Sequence, residues 1–181
     1  IDYRMINEVK KLAKADGATN LNQYENEANF EVHLEYTANE LYEQLKIMNK
    51  EPNVIIAGIG TSGHISALSM KFKNMYKDKV KIVGVQPTLD NYIPGIKRLE
   101  TKPKWLSRVK IDEVVEVSLD EAIEGCILIA RGDGILIGLS SGAVVKAFDK
   151  VKEKYGAGTY VLIFPDDIFK YVDIIARHLD N

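Results

Sequence analysis

Gly58, Gly60 and Gly63 satisfy G-x-G-x-x-G within NVIIAGIGTSGHISALSMKF, a stretch that begins at Asn53. An apolar run leads into these glycines and a helical pattern leaves them. The first N–H groups of a helix have no partner, and the helix dipole is positive there. Glycines let that backbone approach an anion, and Thr61 and Ser62 add two hydroxyl donors. A tight strand-to-helix turn that binds nothing is the plainer reading. The position between strand and helix favours an anion.

A second glycine turn, GDGILIGLSSGAVVKAF, sets Ser140 and Ser141 at the start of another helix. A serine there can cap the helix, or it can present its hydroxyl to a ligand ring. A phosphate at one helix start and a polar ring atom at another fit a phosphorylated heteroaromatic. The competing ligand is a dinucleotide. It requires an acid at the end of the next strand, about 20 residues past the glycines, to hold a ribose. That strand, VKIVGVQP, ends at Gln86 and Pro87 without an acid. Gln86 is still able to bond a ribose, so the nicotinamide-dependent reading is weakened and stays open.

The elements that must carry these turns follow from periodicity. Residues 3–15 place Met5, Val9, Leu12 and Ala13 on one helical face, and Gly17 is a stop. NLNQYENEANFEVH reads as an ordered polar loop, and residues 35–48 return to helix with Leu41, Leu45 and Met48 in register. Strand NVIIAG, helix SGHISALSMKFKNMY and strand VKIVGVQP come next. An irregular segment then precedes strand DEVVEVS. Ser118 and Glu121 form a capping-box pattern that opens the helix LDEAIEGCILIAR. A further helix follows the second glycine turn, then strand GTYVLIFPDD and a last helix to about His178. Short, nearly continuous apolar strands alternating with helices predict an α/β fold. Its sheet is a three-layer, open, twisted and mostly parallel one, with helices on both faces. Both glycine turns fall at the carboxyl edge, where such sheets bind ligands.

The bulk properties narrow the class. The chain has 181 residues, 46% hydrophobic and 28% charged, and reads as one continuous unit over 1–181 with a substantial core. A net charge of −2 gives no basic field for nucleic acid or acidic lipid. The run Lys71-Phe72-Lys73 reads as a solvated helix face. Cys126 is the only cysteine, so an internal disulfide is excluded and a packed thiol is expected. No apolar run is long enough to cross a bilayer and no metal is called for. A reducing, cytoplasmic setting fits this usage.

Five stretches stand in order from about Asn20 to Tyr171: NQYENEAN…H, IAGIGTSGH, VGVQP, GILIGLSSGAVV and FPDDIFKY. Together they resemble the pyridoxal-phosphate enzymes of the cysteine synthase and cystathionine β-synthase family, fold type II. The resemblance implies pyridoxal 5'-phosphate as cofactor, the chain forming most of the large lobe. It implies β-replacement with sulfide on an activated serine, and the cations Lys97 and Arg98 add O-phosphoserine to O-acetylserine as a candidate. Gly60, Thr61, Ser62, Gly63 and His64 match the phosphate-cupping loop, and Ser140 matches the serine facing the ring nitrogen. Pro165 and Asp166 match a turn beside that nitrogen, and Gln23 matches a residue at the substrate end of the pocket.

The chain also departs from the pattern. His64 stands where many members have threonine, either donating to the phosphate or capping the turn. Glu27 replaces a usual proline and Ala38 a usual glycine, both read as tolerated variation. IPGIKRLE differs from the glycine-rich sequence of the acetylserine-using enzymes. There Gly95, Lys97 and Arg98 lie near the pocket mouth, and the two cations either bind a phosphate leaving group or are simply solvated.

The family's Schiff-base lysine and its carboxylate-gripping loop lie upstream of the matching region, and no lysine here aligns with the catalytic one. The expectation is therefore the C-terminal portion of a longer or split enzyme, with no catalytic residue in this chain. An N-terminal segment or second chain would supply the lysine, and a homodimer is expected by resemblance. The initial Ile1 and the immediate helical pattern support that expectation. A nicotinamide-dependent oxidoreductase domain and a non-catalytic binding module are the alternatives.

Overall fold

The computed structural model describes residues 3–179. Four strands form one sheet in the order β3-β2-β1-β4: β1 (Val54–Gly58), β2 (Lys81–Pro87), β3 (Glu113–Val117) and β4 (Tyr160–Leu162). Every strand pair is parallel. Ile56 faces Val83 on one side and Leu162 on the other.

Strand alternation sorts the core into two layers. Ile55, Ala57 and Ile82 pack with Ala38 and Leu45 of α3 (Ala38–Ile47) and with Ile65, Leu68 and Phe72 of α4 (Gly63–Tyr76). Val54, Ile56, Val83, Val85, Val115 and Val117 face the other way. They meet α5 (Leu119–Asp133), α6 (Leu139–Tyr155) and Ile175 of α7 (Val172–Leu179). The expected three-layer α/β architecture is thus present. The chain leaves β1 towards β2 and β3 on one side and returns to β4 on the other. The carboxyl ends of β1 and β4 therefore flank a topological switch point.

Local rules explain most boundaries. Glu121 N–H donates to Ser118 Oγ at 3.2 Å and Ser118 N–H donates to Glu121 Oε2 at 2.8 Å, a complete capping box for α5. Gly134 closes that helix at φ +71°. α5 and α6 cross closely because Gly125 lies against the Gly142 backbone and Gly142 against Ala122 O and Cys126, leaving no room for a Cβ at either.

Four expectations are corrected. The stretch 20–33 is not all loop. α2 (Ala28–Val32) forms within it and runs through a π-helical turn, His33–Thr37, into α3. Burial of Phe30 against Trp105 and Ala67 outweighs the polar composition. Met48 does not share the buried face of Leu45, being 65% exposed. β4 is shorter than GTYVLIFPDD, because only Ile163 N–H continues the ladder, to Ile56 O, and Pro165 has no N–H to add. Lys73 is no solvated lysine: it ion-pairs with Asp112 at 2.6 Å. The apolar face expected for α1 (Tyr3–Ala15) forms, but Met5, Val9 and Leu12 are exposed among the described residues.

Cys126 is buried between α5 and α6 with Sγ 3.4 Å from Gly138 O, and burial pushes its thiol up to about 11. The native chain should therefore be inert to a thiol reagent at pH 8 and should react with one equivalent once unfolded. Rapid native labelling would contradict this packing.

Candidate active site

A cavity of about 850 Å³ opens at the switch point. Its wall contains Gln23, Gly60, Thr61, His64, Gly95, Lys97, Arg98, Ser140, Pro165 and Asp166. Residues from five separated stretches of sequence thus meet in one place. Ser62 and Gly63, expected with them, stand behind the wall. Ser62 is fully buried at φ +73°, and its Oγ accepts from Trp105 N–H at 3.3 Å. Gly63 packs against Asn29, which fills the space a Cβ would need.

Thr61 is the hydroxyl of the loop that faces the cavity. Its Oγ1 accepts from Asn29 Nδ2 at 3.0 Å and from Gly63 N–H at 3.3 Å. Both bonds use oxygen lone pairs, so the hydroxyl proton remains for a ligand. α4 begins at Gly63 with no side-chain cap from Ser62, and the positive end of its dipole lies next to Thr61. Gly60 lies so close to the next segment that a Cβ there would be 2.5 Å from Gly95 O. Lys97 N–H completes the join by donating to Ile59 O at 2.6 Å.

The opposite wall is the start of α6. Ser140 is 4% exposed, and its Oγ has no hydrogen-bond partner among the described residues. Ser141 points into the core instead, with an enclosed, unpartnered Oγ. Asp166 Oδ2 accepts from Tyr171 Oη and Lys170 Nζ, each at 2.7 Å. Its Oδ1 is enclosed against Gly138 without a donor.

His64 and Arg98 differ from expectation in chemistry. Burial, and secondarily the charge of His33, lowers the His64 imidazole to about 4, so it is neutral at physiological pH. Its ring meets His33 edge-on at 5.8 Å, and its Nε2 is enclosed without a partner. It does not cap the turn. Arg98 is held by two carboxylates, Glu100 at 2.9 Å and Glu116 at 2.8 Å, and donates to Pro87 O. Neither reading of Arg98, as a leaving-group clamp or as a solvated cation, fits this compensated charge. Lys97 Nζ lies 4.0 Å from the Tyr24 ring centroid, a cation–π contact at the cavity edge.

Gln86 settles the ribose question. Its Nε2 donates to Glu116 at 2.9 Å and its Oε1 accepts from Leu99 N–H at 3.0 Å. The side chain is 5% exposed and holds the segment after β2, so burial keeps its remaining N–H and lone pair from a sugar.

Comparison with known proteins agrees with this geometry. Residues 2–166 match the family described as pyridoxal-phosphate dependent enzyme. The chain belongs to that family. Cysteine synthase of Staphylococcus aureus is 32% identical over 97% of this chain, and cysteine synthase of Aquifex aeolicus is 31% identical over 84%. The chain spans 59% and 47% of those relatives' own lengths. Among solved structures, the O-acetylserine dependent cystathionine β-synthase of Helicobacter pylori superposes with TM-score 0.83 at 27% identity, covering 93% of this chain and 57% of that one. A hydrogen sulfide-producing enzyme of Fusobacterium nucleatum superposes with TM-score 0.80, also at 27%, covering 92% and 53%. The cofactor of the family is pyridoxal phosphate, and the fold is that of its fold type II members.

The residues present fit that cofactor. Thr61 and the start of α4 offer donors for a phosphate, Gly60 admits close approach, and the unpartnered Ser140 hydroxyl faces the same cavity. Sequence reasoning missed Asn29, which carries Thr61, and Trp105, which carries Ser62. Asn29 lay within a recognised stretch but had no stated role. Nothing local marks Trp105, which is 43 residues from the hydroxyl that it holds.

Proposed function

We propose that this chain is the phosphate-holding and ring-facing part of a pyridoxal-phosphate dependent β-replacement enzyme that makes cysteine. The observation that carries this reading is the single cavity joining Thr61, at the start of α4, to Ser140, at the start of α6. In this reading Thr61 donates its hydroxyl proton to the cofactor phosphate, and the N–H groups of α4 add the positive end of a helix dipole. Ser140 meets the ring nitrogen with a hydroxyl. A neutral partner of this kind leaves that nitrogen without a full positive charge, which suits loss and replacement at a β-carbon better than transamination. When bound, the cofactor supplies an electron sink for charge released at the α-carbon of an amino acid.

The substrate is an O-activated serine. Its Cβ–O bond breaks, the leaving group departs with the electron pair, and sulfide forms the new C–S bond. Gln23 lies at the substrate end. Lys97, rather than Arg98, is the cation nearest a departing anion. The lysine that anchors the cofactor is supplied by an N-terminal segment or a second chain.

Pyridoxine 5'-phosphate and pyridoxine, which lack the aldehyde and cannot condense with surface lysines, test the central claim. The chain should bind the phosphorylated form in preference. Thr61→Ala should lower affinity for that form about 10- to 100-fold, the scale of one hydrogen bond to a charged group. It should leave pyridoxine binding unchanged. Equal binding of both compounds by the unaltered chain would overturn the reading.

A further inference from the structure

Glu27 sits where the resembling family usually has proline, and its sequence context gives it no role. In the structure it is a junction. Its carboxylate receives both Arg108 terminal nitrogens, at 2.7 and 2.8 Å, in a bidentate pair. Lys104 Nζ lies 2.6 Å away, and the Trp105 indole N–H donates to it at 3.3 Å. Three residues of the 3₁₀ turn Lys104–Arg108 are therefore gathered on one side chain at the entry to α2. Arg108, then Lys104, holds the carboxyl down at about 2 from an ordinary 4.5. A carboxyl lowered on folding stabilises at pH above its ordinary value and loses that contribution as pH falls towards 2. The junction is thus intact throughout the neutral range.

What the junction holds is the glycine loop. Trp105 is completely buried against Phe30 and Ala67, and its main-chain N–H is the donor to Ser62 Oγ. Ser62 occupies the left-handed region, uncommon for a residue with a Cβ, so its conformation depends on outside contacts. The neighbouring residue, Thr61, is held from the same short helix by Asn29. α2 thus reaches the loop twice: Asn29 directly, and Glu27 through the 104–108 turn.

We propose that Glu27 is a positioning residue for the anion-binding loop. By fixing Lys104, Trp105 and Arg108 it sets the Trp105 N–H that holds Ser62, and so aims Thr61 and the start of α4 at the phosphate. This rests on the reading that the loop takes the cofactor phosphate, and the test separates the two.

Trp105 is the only tryptophan in the chain and is itself part of the junction, so its emission reports on the loop directly. The 181-residue chain is titrated with pyridoxine 5'-phosphate and with pyridoxine. Glu27→Gln should lower affinity for the phosphorylated compound about tenfold, the scale seen when a support behind a binding group is lost. Affinity for pyridoxine should not change. Glu27→Asp should recover part of the loss. Glu31→Gln, the same charge change on the exposed side of α2, should have no effect. Arg108→Gln, which leaves Glu27 with Lys104 and Trp105, should give a smaller loss of the same kind and serves if Glu27→Gln does not fold. Unchanged phosphate affinity in the Glu27 variant would overturn the positioning role and leave the cofactor reading standing. An equal loss for both compounds would also overturn it, since the effect would then be general damage. If the unaltered chain shows no preference for the phosphorylated compound, both claims fall.

Discussion

Gly60→Ala should remove phosphate-dependent binding, by at least about 100-fold, while the chain still folds. The new Cβ would lie 2.5 Å from Gly95 O, a backbone atom that cannot rotate away. Either the glycine loop or the 95–97 segment must withdraw. The Lys97 N–H bond to Ile59 O joins them and would be strained or broken. Withdrawal of the loop displaces Thr61 and the start of α4 together. Losing two bonds to a charged ligand, at about 1.5–3 kcal/mol each, accounts for a factor of that size. Overpacking should also cost about 1–3 kcal/mol of stability. Gly132→Ala is the matched control. It lies in α5, a Cβ there meets nothing, and alanine favours a helix. The pyridoxine phosphate titration and a thermal melt read both effects. A Gly60→Ala chain that binds as the parent does would show that the loop is only a turn.

The contrast between these two glycines shows what sequence conveys. The G-x-G-x-x-G spacing marks Gly60 as a place of close backbone approach, since periodic apolar residues on either side fix the strand and the helix. It does not show that the approaching group is Gly95 O, which comes from a loop beyond the next strand. The parallel sheet, the capping box and the two helix starts were legible because each depends on neighbours in sequence. α2 was not, because Phe30 becomes helical by burial against Trp105. Arg98 was not, because Glu116 joins the nearby Glu100 on it only when β2 and β3 lie side by side. Glu27 was read as variation for the same reason: its partners are about eighty residues away. Chemistry carried by a local turn was visible, and chemistry carried by a charge partner across the fold was not.

The largest purely structural effect should come from Asp112→Ala. Asp112 Oδ2 accepts from Lys73 Nζ at 2.6 Å and from Ile82 N–H at 2.8 Å. Both side chains are nearly buried, 14% exposed for Lys73 and 8% for Asp112. Lys73 Nζ also donates to Val80 O at 2.7 Å, so the ammonium is fixed between α4 and the entry to β2. Removing the carboxylate strands an ammonium and a main-chain N–H together, which should cost about 3–5 kcal/mol in chemical denaturation. The pair sits at the amino end of β2, whereas the cavity lined by Thr61 and Ser140 opens at the carboxyl ends of β1 and β4. Pyridoxine phosphate affinity of the folded fraction should therefore be unchanged, which sets this variant apart from Gly60→Ala and Glu27→Gln. Lys73→Met combined with Asp112→Leu should recover much of the stability, since an apolar pair of similar size incurs no charge-desolvation cost. A loss below about 1 kcal/mol in the single variant would mean that the Lys73 stem lets its ammonium reach water. The ion pair would then be a consequence of packing between α4 and β2 and not one of its causes.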